Sequence, residues 1–149
     1  MVMNKKFRNS GLSLMEILIA LSIISFTMLI GVPGFKMVIS RIEITNELRT
    51  VTMALHSARY NSYMTCHPIK FTIEGKRIYL KENTNDGWVI LRDFPVGPNV
   101  EISTNANPVF YPSGSTTPLC SVNLKNNVYS YKVTVSMAGQ IKVSQLLSE

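Results

Sequence analysis

One carboxylate stands where its surroundings oppose it. Glu16 heads an apolar run that meets no further charge until Lys36. An acidic side chain near the end of a membrane helix costs about 2.5–3.5 kcal/mol or less, depending on depth, so it calls for a partner or a purpose. The neighbouring residues supply a purpose. Lys5, Lys6 and Arg8 form a basic leader without acidic residues, and Ile17 to Phe35 gives 19 uncharged residues, enough to cross a bilayer. Basic residues on that side hold the N-terminus in the cytoplasm. A secretory signal peptide would place its small-residue cleavage site after a shorter apolar core. Here the small residue, Gly11, precedes the core. Cleavage after Gly11 removes the charged leader and gives Leu12 a free amine, one helical turn from Glu16. An uncleaved single-pass anchor is the alternative.

Other reactive side chains are few. Cys66 and Cys120 are the two cysteines, and both fall on the side expected to face away from the cytoplasm, where a disulfide can form. Joining them would tie the end of a helix to a late strand, worth roughly 4 kcal/mol by chain entropy before strain is counted. The Cys66-His67 pair has no second ligand pair at a supporting spacing, so no metal is expected. His56 is expected on a solvated or partly packed helix flank. Ser113-Gly114-Ser115 lacks the lysine and the following helix of a phosphate loop and reads as a turn. Asp86, Asp93 and Glu101 sit on separate segments, and nothing pairs any two as acid and base. No catalytic residue and no cofactor is expected. Trp88, with Val89, Ile90 and Leu91, is expected to fill the core.

These residues need elements to hold them. The formal charge is +6, but three cations belong to the leader; from Leu12 onward 12 Lys and Arg face 9 Asp and Glu, a net of +3. That is a weak argument for nucleic acid. Past the apolar segment, Leu48, Val51, Leu55 and Ala58 recur at steps of three and four, with Glu47, Arg49 and Arg59 off the stripe, which predicts an amphipathic helix. One helix from Leu12 to about Cys66 would span on the order of 80 Å if straight. Gly31, Pro33 and Gly34 predict a kink, and Pro68 ends the helical pattern. Alternation then predicts strands at 69–73 and 77–81 around a Glu74-Gly75-Lys76 turn. Further strands are expected at 88–92, 100–103, 109–111, 119–124, 128–136 and 140–143. Two sheets, or one strongly curved sheet, would pack on the helix stripe. The predicted fold is α+β: a leader at 1–11, a membrane helix at 12–35, an amphipathic helix at 36–66, and an antiparallel β domain at 67–149, lollipop in shape.

Gly11-Leu12-Ser13-Leu14-Met15-Glu16, followed by Ile17-Leu18-Ile19-Ala20-Leu21, resembles the prepilin peptidase site of type IV pilins and type II secretion pseudopilins. In that family the peptidase cuts after the glycine and methylates the new amine, here that of Leu12. The family most often has phenylalanine and threonine where this chain has Leu12 and Ser13. Pro33 falls where the family commonly carries a helix-kinking proline. Leu55-His56-Ser57-Ala58-Arg59 is similar to the L-x-x-A-R stretch of the FimT and GspH group. Val109 to Ser115 is similar to that group's F-x-P-x-G loop, and Tyr131 to Ser136 before Gly139 resembles its terminal strands.

The resemblance implies a minor pilin or pseudopilin of the bacterial inner membrane, with its C-terminal domain in the periplasm and later in a pilus or pseudopilus. Its implied partners are the prepilin peptidase, other pilin or pseudopilin subunits, the inner membrane assembly platform and membrane lipid. On assembly Glu16 would meet the Leu12 amine of a neighbour. The alternative is a DNA-binding minor pilin. Some FimT-like proteins carry Gly-Arg-x-Arg near the C-terminus, where this chain has Gly139-Gln140-Ile141-Lys142. Lys132 and Lys142, with Lys125, are the candidate phosphate contacts. The same leader and helix serve pilus and secretion pseudopilus, so the sequence does not choose between them.

Overall fold

A computed structural model describes residues 13–146. Gly11 and Leu12, the expected cleavage and methylation positions, lie outside the described residues. Helix α1 (Leu14–Thr65) is the first element among the described residues and includes Gly31, Pro33 and Gly34. The chain divides into two compact units, one ending at Lys36 and one beginning at Met37. The first unit's described part is helix alone. Large apolar side chains from Leu14 to Phe35 are exposed around its circumference. A helix apolar on every side calls for a nonaqueous surrounding, and this one is long and apolar enough to cross a membrane.

The second unit is built on the other half of α1. Its apolar stripe is placed as the spacing predicts: Val51, Leu55 and Ala58 are fully buried, and Leu48 packs against them. Thr65 ends the helix, and Cys66 follows in the left-handed region at φ 56°. That conformation closes many helices but usually falls to glycine or asparagine. Among the described residues, nine strands then form two antiparallel sheets. The five-stranded sheet contains β1 (Ile69–Glu74), β2 (Arg77–Thr84), β3 (Gly87–Pro95), β5 (Val109–Phe110) and β6 (Thr116–Thr117), in the order β3-β2-β1-β5-β6. The four-stranded sheet contains β4 (Glu101–Thr104), β7 (Cys120–Lys125), β8 (Ser130–Val135) and β9 (Ile141–Leu146), in the order β4-β7-β8-β9. Phe71, Leu80 and Phe110 from the first sheet and Val122, Leu124 and Val133 from the second complete one core with the helix stripe.

Two differences from expectation have physical causes. Strands β2, β3 and β9 run longer than predicted, and β6 was not predicted. Glu82, Asn83 and Thr84 continue β2 beyond the core with polar side chains only, so the apolar alternation disappears. Strand β6 has only two residues and leaves no periodic trace. The second difference concerns Trp88, Val89, Ile90 and Leu91, which do not fill the core. They are 43%, 51%, 56% and 42% exposed. Strand β3 is an edge strand, and its pairing with β2 is irregular at Leu80/Lys81, so this run lies past the part of the sheet that the helix covers. Trp88 instead lies under the Lys70 ammonium, 5.6 Å from the ring centroid, a cation–π arrangement.

Candidate functional site

The candidate assembly residue, Glu16, lies in the first turn of α1. Ser13 stands at the helix N-cap: its carbonyl accepts from the Glu16 and Ile17 amides at 2.9 and 3.2 Å. Glu16 is therefore the third helical residue, the position from which a carboxylate favours the positive end of the helix dipole. Ser-x-x-Glu is also the spacing of a capping box, so the sequence offers a local use for Glu16 beside the intermolecular one that the resemblance implies. The two uses differ in one respect: a cap needs an acceptor, whereas an ion pair needs the charge.

The apolar segment behind Glu16 disposes of its remaining polar groups internally. Between Ile17 and Phe35 the hydroxyl side chains are Ser22, Ser25 and Thr27. Ser22 Oγ donates to the Leu18 carbonyl at 2.7 Å and Ser25 Oγ to that of Leu21 at 2.8 Å. Thr27 Oγ1 lies 3.0 Å from the Ile23 carbonyl and 2.9 Å from that of Ile24. In lipid each unsatisfied polar group costs several kcal/mol, and back-bonding to the helix's own carbonyls removes that cost here. Glu16 is left as the charged group that the segment does not satisfy through a side-chain partner among the described residues.

The three short stretches that resemble the FimT and GspH group meet at one place. Arg59, the last residue of the helix stretch, donates from Nη1 to the Gly139 carbonyl at 3.0 Å. Ser62, fully buried one turn on, donates to the Arg59 carbonyl at 2.7 Å and reaches the Tyr111 carbonyl at 3.4 Å. Gly114, in the loop after β5, has φ 84° and lies against the Tyr63 hydroxyl. Gly139, in the turn between β8 and β9, has φ 67° and lies against the Gly114 carbonyl. The Thr116 amide donates to the Met137 carbonyl at 2.8 Å, tying β6 of one sheet to the terminal turn of the other. These stretches thus fasten the helix end to both sheets. That is an architectural use, and it explains why an arginine and two glycines belong at those positions.

Lys132 and Lys142 are brought to one face of the four-stranded sheet. Lys132 pairs with Asn123 and Ser144, while Lys142 pairs with Thr134, two residues along β8 from Lys132. Residues opposite each other share a face, as do residues two apart on a strand. Lys125 joins them at the Glu101 and Ser130 row. Three lysines, one glutamate and a field of hydroxyls and amides occupy this face.

The bridge expected between Cys66 and Cys120 is not formed, and both thiols are free. Their surroundings explain the difference. Cys66 is exposed at the helix end, whereas Cys120 is buried at the start of β7, with Sγ 3.3 Å from both Thr104 Oγ1 and the Ala106 carbonyl. Burial pushes the Cys120 thiol up, against the opposing hydrogen bonds of Thr104 and Ala106. Because the thiolate is the reacting form, an alkylating reagent at neutral pH should label Cys66 alone in the folded chain and both cysteines after denaturation. Mass spectrometry of the labelled chain checks this; rapid double labelling of the folded chain would contradict the burial assignment.

Around Ser40, Glu43, Asn99, Glu101 and Asn126 lies a polar cleft of about 790 Å³. Its amides are engaged locally: Asn99 Nδ2 donates to Glu43 Oε1 at 2.9 Å and Asn126 Nδ2 to the Ser40 carbonyl at 2.7 Å. Among the described residues, no group of three or more His, Cys, Asp or Glu is placed to hold a metal ion.

No family model and no curated protein matches the chain by sequence. Solved structures do match by shape. The minor pseudopilin EpsH from the type 2 secretion system of Vibrio cholerae superposes with a TM-score of 0.62 at 12% identity, over 69% of this chain and 97% of that one. The type IV minor pilin FimU of Pseudomonas aeruginosa superposes with a TM-score of 0.60 at 15% identity, over 70% of this chain and 90% of that one. A long apolar N-terminal helix, continued as an amphipathic helix against an antiparallel β domain, gives this chain the pilin and pseudopilin-like fold.

Proposed function

We propose that the chain is a minor pilin or pseudopilin, a structural subunit cut after Gly11 by a prepilin peptidase, methylated at Leu12 and built into a pilus or secretion pseudopilus. The observation that carries the reading is a carboxylate without an ion-pair partner among the described residues, Glu16, at the head of an apolar helix long enough to cross a membrane, in a chain of pilin-like fold. In the membrane the subunit waits with its apolar helix in lipid. Assembly moves the helix among similar helices, where Glu16 meets a neighbour's Leu12 amine and each buried charge gains a partner. Pro33 relaxes the helix near the outer interface so that it can bend into that packing. The β domain remains in the periplasm. Assembly with other pilin or pseudopilin subunits is thus the main partnership, and lipid and the inner membrane platform serve the stages before it.

Processing gives the direct test. Co-expression with a prepilin peptidase should lower the mass by residues 1–11 and add one methyl group. The Gly11→Trp variant should stay uncut, because a bulky side chain cannot occupy the place of the residue before the scissile bond. An unchanged N-terminus in the wild-type chain, or normal processing of Gly11→Trp, would refute the reading.

A further inference from the structure

The apolar surface of α1 continues past Lys36. Met37, Val38 and Ile39 are successive helical residues, so they point in three directions around the axis, and all three are exposed. A helix apolar on every side belongs in lipid here as in the run before it. Ile17 to Ile39 is then a span of 23 residues with one cation, Lys36, whose long side chain can carry its ammonium to the interface. At 1.5 Å per residue such a span is about 35 Å long, which fits a hydrocarbon layer of about 30 Å with some tilt. Ser40 and Arg41 are the first polar residues past it, where the headgroup layer begins.

From there the helix separates its charges. Glu43 and Glu47 turn to the loop between β3 and β4: Glu43 accepts from Asn99, and Glu47 lies against Gly97. Arg41, Thr45 and Arg49 recur every fourth residue and so share another side of the helix. Both arginines are exposed, and among the described residues neither has an ion-pair partner. With Ile42, Thr45 and Asn46 they line a recess of about 310 Å³, and no carboxylate lines it. Thr45 Oγ1 donates to the Arg41 carbonyl at 2.7 Å, which leaves two guanidinium groups and the Asn46 amide as the donors for a ligand. Lys36, Arg41 and Arg49 also equal in number the leader's Lys5, Lys6 and Arg8. Cations beyond the span oppose the bias that orients such helices, so a counter-charge at that end is called for.

We propose that this recess is a headgroup site for an anionic phospholipid of the leaflet at which α1 leaves the membrane, with the lipid phosphate drawn between Arg41 and Arg49. The planar fork of a guanidinium matches the oxygens of a phosphate. The Cα–Cβ bonds of a helix tilt towards its N-terminus, so Arg49 starts back towards Thr45 and the bilayer. Because the recess offers no carboxylate to the ammonium of a zwitterionic headgroup, it selects a lipid whose headgroup carries only the negative charge. Occupied, the site fixes the depth and rotation of the stored subunit, and the lipid must be given up when the helix moves into a filament. The proposal rests on the membrane reading of α1 and extends it to a lipid class.

Retained lipid tests it on the full chain, reconstituted with equal amounts of phosphatidylglycerol and phosphatidylcholine and read by native mass spectrometry. Phosphatidylglycerol should be retained about tenfold over phosphatidylcholine. Arg41→Gln with Arg49→Gln should abolish the preference, whereas Lys132→Gln with Lys142→Gln, on the four-stranded sheet, should leave it unchanged. Excess inorganic phosphate should not displace the lipid. Insertion is checked separately, by resistance of the chain to carbonate extraction from vesicles of the same composition. A chain that fails to insert would overturn the membrane reading of α1 and the site with it. An inserted chain without the preference, or with one that survives the double arginine substitution, overturns the site alone. So does an equal loss in the double lysine variant, which would make net charge the cause. Displacement by inorganic phosphate would assign the recess to a free anion. Unchanged lipid retention in a double arginine variant that no longer enters filaments would assign it to a partner subunit; either outcome overturns the proposal.

Discussion

Glu16→Ala is expected to leave membrane insertion and cleavage after Gly11 intact while reducing incorporation into filaments by more than tenfold. Both ends of the transfer move in the same direction. In the membrane the substitution removes a charge near the end of an apolar helix, which stabilises the stored subunit by up to about 2.5–3.5 kcal/mol. In the filament it removes one partner of a buried pair and leaves the other charge uncompensated, a loss of about 3–5 kcal/mol. The capping use of Glu16 is separated by a second variant. Glu16→Gln keeps an acceptor at the third helical position, as a capping box accepts Glu or Gln, but it carries no charge. If pairing is the function, Glu16→Gln fails like Glu16→Ala; if capping is, Glu16→Gln is rescued. The ratio of subunit in sheared filaments to subunit in membranes measures both. Normal incorporation of Glu16→Ala would remove the assembly role altogether.

The same distinction shows what the sequence makes legible. The membrane segment and Glu16 stand out because lipid imposes a length and forbids charge, two constraints that act on consecutive residues. The stripe of Val51, Leu55 and Ala58 is equally plain, since the helix repeat places them on one side and the core then buries all three. Hairpin β1–β2 follows from alternation around Gly75, which the structure holds at φ 61°. What escapes is whatever depends on residues far apart in the chain. Trp88 to Leu91 has the composition of a core strand, and only the strand order and the exposure of these residues reveal that they lie on an edge strand outside the core. Cys66 and Cys120 are two thiols in a chain read as periplasmic, and only the packing around Cys120 shows it bonded to Thr104 and Ala106 instead. The convergence of Arg59, Gly114 and Gly139 is of the same kind. Each stretch is visible locally, but their meeting belongs to the tertiary fold.

Gly139→Ala is expected to destabilise the β domain by about 2–4 kcal/mol, a large share of the roughly 5–15 kcal/mol that holds a typical domain together. Two costs add. At φ 67° an L residue meets the left-handed penalty of about 1–2 kcal/mol. The new Cβ would also lie 2.7 Å from the Gly114 carbonyl oxygen and 3.2 Å from Arg59 Nε. A backbone oxygen cannot swing aside, so the turn itself must move, and the Arg59 bond to the Gly139 carbonyl is strained with it. Gly114→Ala makes the instructive contrast. Its φ of 84° carries a comparable backbone penalty, but the atom in its way is the Tyr63 hydroxyl, the far end of an exposed side chain that can rotate out. Gly114→Ala should therefore cost less than Gly139→Ala. Arg59→Ala should weaken the same fastening by about 1.5–3 kcal/mol, the range for a hydrogen bond from a charged donor. Since Arg59 and Gly139 touch, the double variant should lose less than the two single losses together. Urea unfolding of the full chain in detergent, followed by circular dichroism, measures all four. Strict additivity, or equal losses at Gly114 and Gly139, would show that the terminal turn is not braced by Arg59. The glycine that opens Gly139-Gln140-Ile141-Lys142 would then need another reason than the close approach of Gly114 and the helix.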